Sequence, residues 1–279
     1  MSGMKTQRWR VGMAFAMAAA ALFVAVCAVP SHADVWDVQS DNDDFLGSDN
    51  ELLHGVNQVH DLGVRPGPVP DEDWYLMPQK PRASYEVIID GVSGDLGFSG
   101  LALERLQVDG TTTTSLQTGG AAVMGSMGYS RALRWANVTS GVITDEMIRV
   151  AGQQCGTTCG ADDVYAIHAR ETTVNLARFN ASGGQATILL TQNVSERPVN
   201  ATYFYWSSGG GLLATESIAN LPSKALNVLN VAIIGGLAGQ SGHITVAHDG
   251  GYGALNMKAV ALEPTTGFSF DTPGTYIPY

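Results

Sequence analysis

His54, His60 and Asp61 are the first side chains whose types and spacing could do chemistry, an imidazole base with a carboxylate beside it to orient it. Such a pair needs a nucleophile. No Gly-x-Ser-x-Gly elbow supplies one, because GFSG at 97–100 and GQSG at 239–242 are each a residue short. These histidines therefore read as surface or turn residues. His243 and His248, five apart in GHITVAHD, would face opposite sides of a regular strand and make a poor ligand pair. Asp71, Glu72 and Asp73 form an acidic cluster, but glycoside hydrolysis wants two carboxylates in distinct environments across a cleft. Asp73 is expected to bond backbone amides where a strand begins, and Trp74 to pack in the core.

Binding chemistry offers more. Asp41, Asn42, Asp43, Asp44 and Asp49 bring hard oxygen donors close together, which suits calcium, although the EF-hand spacing is missing and a solvated acidic loop explains them more simply. Asp41, Asp43, Asp44 and Asp49 are the candidate ligands of a structural calcium; no cofactor is required. The run Tyr203, Phe204, Tyr205, Trp206 suggests stacking against a glycan or peptide. In a strand, alternate members share a face and one face must be core, so at most two are free. Tyr203 and Tyr205 are taken as the candidate ligand-binding pair. Cys155 and Cys159, in CGTTC, are expected to form a disulfide closing a tight loop, since the spacing is not Cys-x-x-Cys and no further zinc ligands lie nearby. Asn-x-Ser/Thr occurs at Asn137, Asn180, Asn193 and Asn200, a pattern frequent by chance.

These residues need a frame. Lys5, Arg8 and Arg10 precede an uncharged apolar stretch from Val11 to Pro30, and Ser31-His32-Ala33 ends it with residues a signal peptidase reads. Residues 1–33 are expected to be a cleaved signal peptide. A retained membrane anchor and a lipoprotein at Cys27 are the alternatives. Removing the three basic residues takes the formal charge from −11 to −14, which disfavours a nucleic-acid partner because phosphate binding draws on Lys and Arg.

Short alternating segments follow, such as SYEVIID, where Tyr85, Val87 and Ile89 would share a face, then LALERLQV, GYSRALRWAN and DEMIRVAG. After the joint at 153–163 come VYAIHA, TTVNLARF, QATILLTQN, NATYFYWSS, GLLATESIA, ALNVLNVA, GHITVAHD and MKAVALE. This spacing predicts an all-β protein of two antiparallel β-sandwich modules, residues 34–152 and 153–279, the second immunoglobulin-like.

ELLHGVNQVHDL followed by DEDWYLMPQKPRASYEVIIDGVSGDL resembles the bacterial pre-peptidase C-terminal domain over roughly residues 40–152. The matching positions are Asp71, Asp73, Trp74 and Tyr75, then Ser84 to Val87, then Met147 to Val150. The resemblance implies a jelly-roll-like accessory module, non-catalytic, in a family of which some members bind calcium or assist secretion or attachment. The usual arrangement sets a peptidase domain before the module, and this chain is expected to depart from it. Residues 160–279 resemble an uncharacterised β-rich C-terminal region of secreted bacterial proteins, which implies no particular activity. Together these readings predict a secreted, non-enzymatic structural or adhesive protein of the bacterial cell surface or extracellular medium. The alternative is an accessory glycan- or protein-binding module assisting an extracellular hydrolase. Its partner would be an extracellular glycan or protein, and a membrane only if the N-terminal segment is retained.

Overall fold

In β3 (Ala83–Gly91), Tyr85, Val87 and Ile89 are fully or almost fully buried and share one face, as period-two alternation requires. The computed structural model describes residues 48–63, 72–94, 101–122, 130–152 and 162–279. These residues form strands joined by turns, with one short 3-10 segment at Val231–Ile233. The chain is all-β, with two distinct sheet modules. None of the described helices is long and apolar enough to cross a membrane.

The first module stacks two antiparallel sheets. One has the order β1 (Asn57–Asp61), β9 (Val164–Glu171), β3, β7 (Ser130–Asn137), β6 (Gly120–Ala121). The other runs β2 (Glu72–Leu76), β8 (Glu146–Gly152), β4 (Leu101–Asp109), β5 (Thr112–Thr118). Val87, Leu133, Tyr165 and Ile167 of the first sheet pack with Tyr75, Leu103, Ile148 and Val150 of the second. Trp74, one residue from Tyr75, must point the other way. It is buried with Leu106 and Met147 in a smaller core cluster of its own, with the Arg149 guanidinium 5.5 Å from its ring, so Trp74 packs in a core as expected, though not the one that holds Tyr75.

A division at 152/153 does not match the strand pairing. β9 lies beyond it and yet is hydrogen-bonded to β1 and β3, between which it completes the first module's sheet. The reason is burial: Tyr165, Ile167 and Ala169 alternate inward and supply part of the first core. The strands of the second module begin only at β10 (Val174–Asn180).

That module contains β11 (Ala186–Asn193), β12 (Val199–Ser207), β13 (Leu212–Leu221), β14 (Leu226–Asn230), β15 (Ser241–His248), β16 (Leu255–Glu263) and β17 (Phe268–Thr275). Their order is β13-β12-β15-β10-β17-β16-β11-β14. β17 joins two halves: Phe268 to Pro273 pair with β16, while Gly274 and Thr275 pair with β10. Tyr203 and Tyr205 of β12, Ile244 and Val246 of β15, and Leu255 and Met257 of β16 meet in one core.

Candidate functional site at the joint between the modules

The structure sends most of the residues singled out in the sequence into the interior. Tyr203 and Tyr205 are wholly inaccessible, Tyr203 donating to Thr191 Oγ1 at 3.0 Å and Tyr205 edge-on to Phe179. They are core residues and cannot stack on a ligand, so that assignment is withdrawn. Phe204 and Trp206 hold the other face of β12, where the Arg82 guanidinium of the first module covers them at 5.8 and 5.4 Å.

His60, Asp73, Tyr75 and Tyr165 do come together, inside the first module. Tyr165 donates its hydroxyl to Asp73 Oδ2, the Tyr75 and Tyr165 hydroxyls are 2.6 Å apart, and the His60 ring stacks on Tyr165 at 5.7 Å. Asp73 therefore accepts from a side chain across the core as well as standing at the start of a strand. Burial, with the adjacent Asp73 charge, pushes the Tyr165 hydroxyl well above its ordinary pKa of 10. The group is sealed and serves packing. Asp61 follows His60 on β1 and so leaves the strand on the opposite face.

His54 bridges. Its Nδ1 accepts from the Glu171 backbone at 2.8 Å and its Nε2 meets the Pro278 carbonyl at 3.2 Å. His243 stacks beside Trp206, whereas His248 is buried on the other face of β15. Asp49 is exposed. Asp41, Asp43 and Asp44 lie outside the described residues. Among those described, no cluster of three metal-ligating side chains occurs. Cys155 and Cys159 also lie outside them. No disulfide is found among the described residues, and the expected bridge is withdrawn.

An open cleft of about 590 Å³ has walls from both modules. Glu86 and Arg134 form its floor on adjacent strands of the first module, 2.7 Å apart, with Glu86 almost fully buried. Tyr252 of the second module donates its backbone N–H to Glu86 Oε2 at 3.0 Å. The charge pair is thereby shared across the joint. Gly251 lets the second module's backbone approach so closely: a Cβ there would lie 2.6 Å from Glu86 Oε1. Gln117 reaches from β5 to the Arg134 carbonyl at 3.0 Å, leaving its own Oε1 buried with no hydrogen-bond partner among the described residues. A second cleft of about 420 Å³ shares Gln117, Arg134 and Asp249 with the first and continues past Trp135 to Thr202.

Arg197 stands on the opposite wall, in the turn between β11 and β12. Asn193, fully buried, holds this turn: its Oδ1 accepts from Ser195 N at 3.0 Å and Oγ at 2.7 Å, and its Nδ2 donates to the carbonyls of Arg197 and Leu221. Asn137 with Thr139 and Asn180 with Ser182 repeat the same bonds. Three of the four Asn-x-Ser/Thr matches are thus turns at strand ends, in which the asparagine oxygen caps the residue two ahead. Nothing in the sequence marked Glu86, Arg134 or Gln117, since their partners lie far along the chain. GGYG at 250–253 was the available signal, because paired glycines mark close backbone approach.

No family model matches the chain, and no curated protein matches it.

Proposed function

We propose that this is a secreted, non-enzymatic structural or adhesive protein of the cell surface or extracellular medium, and that it holds its ligand in the cleft between its modules. The observation that carries this reading is the cleft itself. It is lined by polar and apolar groups alike, it is built from both modules, and the carboxylates on its walls are already engaged by neighbours: Glu86 by Arg134, Asp249 by Asn200, and Glu196 by Lys224. Carboxylates tied in this way are placed to bind and orient rather than to transfer protons. The order β1-β9-β3-β7 over β2-β8-β4-β5 supports a jelly-roll-like first module, in keeping with the resemblance to pre-peptidase C-terminal domains. The immunoglobulin-like description of the second module belongs to the same reading, as does cleavage after Ala33. A calcium ion at the Asp41 to Asp49 loop is proposed as an optional structural element.

Retention of the purified protein on insoluble polysaccharide or cell-wall material tests the reading. Ala122 lines the cleft, and Ala122→Trp would fill it. Retention lost in that variant, with thermal stability unchanged, supports a ligand in the cleft; undiminished retention removes it. The second reading is an accessory module that grips glycan or protein for an extracellular hydrolase. It is favoured by the continuation of the cleft into the 420 Å³ groove, since an extended polymer needs such length.

A further inference from the structure

Among the described arginines, Arg197 is set apart by what it lacks. Arg82, Arg105, Arg149, Arg170 and Arg178 each lie over an aromatic ring. Arg134 is paired with Glu86, and Arg131 donates to the Gly119 carbonyl. Arg197 has neither ring nor carboxylate among the described residues. Its one hydrogen bond from the side chain is Nη2 to the Ala121 carbonyl at 2.9 Å, across the joint. That bond anchors one arm of the guanidinium and leaves the remaining donors at the cleft.

Acids outnumber bases in this chain by 26 to 15, so an arginine without a carboxylate is not explained by a shortage of partners. The nearby acids are engaged elsewhere, as described above. Rigid support adds to the case, since the Asn193 turn fixes the backbone that carries Arg197, which lowers the entropy lost when a ligand is held. A planar guanidinium with free donors is matched by a carboxylate, which can accept two parallel bonds from it.

The facing wall supplies the complementary need. Gln117 lines the same cleft, its Oε1 finds no donor among the described residues, and leaving such a group unpaired is costly. A hydroxyl would satisfy it. We infer that the cleft takes a carboxylated saccharide, a sugar chain bearing uronic-acid groups, with a carboxylate on Arg197 and a ring hydroxyl on Gln117. An acidic peptide would offer the carboxylate but few hydroxyls. The inference rests on the cleft being the ligand site.

Titration calorimetry at low salt tests it, using an oligogalacturonate and the same oligosaccharide with its carboxyl groups reduced to alcohols. The acidic form is expected to bind at least about tenfold more tightly, as one charge-assisted bidentate contact would provide. Arg197→Gln should remove that preference, while Arg197→Lys should keep part of it. Equal binding of the two sugars, or acidic binding unaffected by Arg197→Gln, overturns the inference. The cleft reading survives that result if Ala122→Trp still abolishes binding. Binding insensitive to Ala122→Trp overturns both. No heat with either sugar overturns the inference, and the cleft is then judged by the retention experiment alone.

Discussion

The carboxamide of Asn193 donates to the carbonyl of Arg197 at 2.7 Å while its oxygen accepts from both the amide and the hydroxyl of Ser195. One buried side chain thus sets the conformation of the turn from β11 to β12 and fixes the base of the arginine at the cleft. Asn193→Ala removes these bonds and leaves buried carbonyls without donors, so destabilisation of about 2–4 kcal/mol is expected from several unmade bonds at once. Urea denaturation measures it. A loss below about 0.5 kcal/mol would show that water replaces the carboxamide.

This turn also shows how far the sequence can be read. Period-two patterns revealed the strands because burial on one face is a local property, visible in SYEVIID without knowing its neighbours. The role of Asn193 depends on Leu221, and that of Glu86 on Arg134 and Tyr252, contacts that only the folded topology creates. Tyr203 and Tyr205 illustrate the harder case. Alternation showed that one pair in YFYW must be buried but held no information on which, since both faces carry large aromatic rings. The placement of β9 was hidden for a similar reason. Its pattern suits either sheet, and pairing with β3 decides the matter.

Tyr165 sits between Asp73 and Tyr75, and its hydroxyl serves both. Replacing it with phenylalanine keeps the ring that stacks on His60 and deletes only that oxygen. Tyr165→Phe should therefore cost about 1–3 kcal/mol, with the first core otherwise intact. Thermal unfolding followed by near-ultraviolet circular dichroism reports both quantities. An unchanged midpoint would mean that the buried tyrosine pair adds nothing to stability.

Gly251 tests whether the two modules depend on each other. A methyl group there would lie 2.6 Å from Glu86 Oε1 and 3.0 Å from Arg134 Nε, and neither can retreat without loosening the ion pair and the Tyr252 bond. Gly251→Ala is expected to destabilise by about 1–3 kcal/mol through overpacking and to make the joint more susceptible to proteolysis. Gly235 provides the control. A Cβ there meets nothing within 4 Å, so Gly235→Ala should change stability by less than about 0.5 kcal/mol. Equal effects of the two substitutions would contradict a tightly packed joint.

His248 should make stability depend on pH in mildly acidic solution. It is fully buried beside the joint, its Nδ1 accepting from the Gly250 amide at 3.1 Å and its ring edge-on to Tyr276. Burial lowers its pKa from 6.5 to about 4, against the weaker opposing effect of backbone hydrogen bonds. Between those values the unfolded chain holds a proton on this residue that the folded chain does not. Stability from this group is therefore complete above pH 6.5 and declines as pH falls towards 4, by a total of roughly 3 kcal/mol. The remaining carboxylates also titrate in this range, so the informative quantity is the difference between the native protein and His248→Gln. Glutamine can still accept from Gly250 but has no proton to gain. Denaturation midpoints measured from pH 7.5 to 4 should fall more steeply for the native protein than for the variant. Parallel curves would show that His248 is protonated without cost, and hence that the joint opens to water around it.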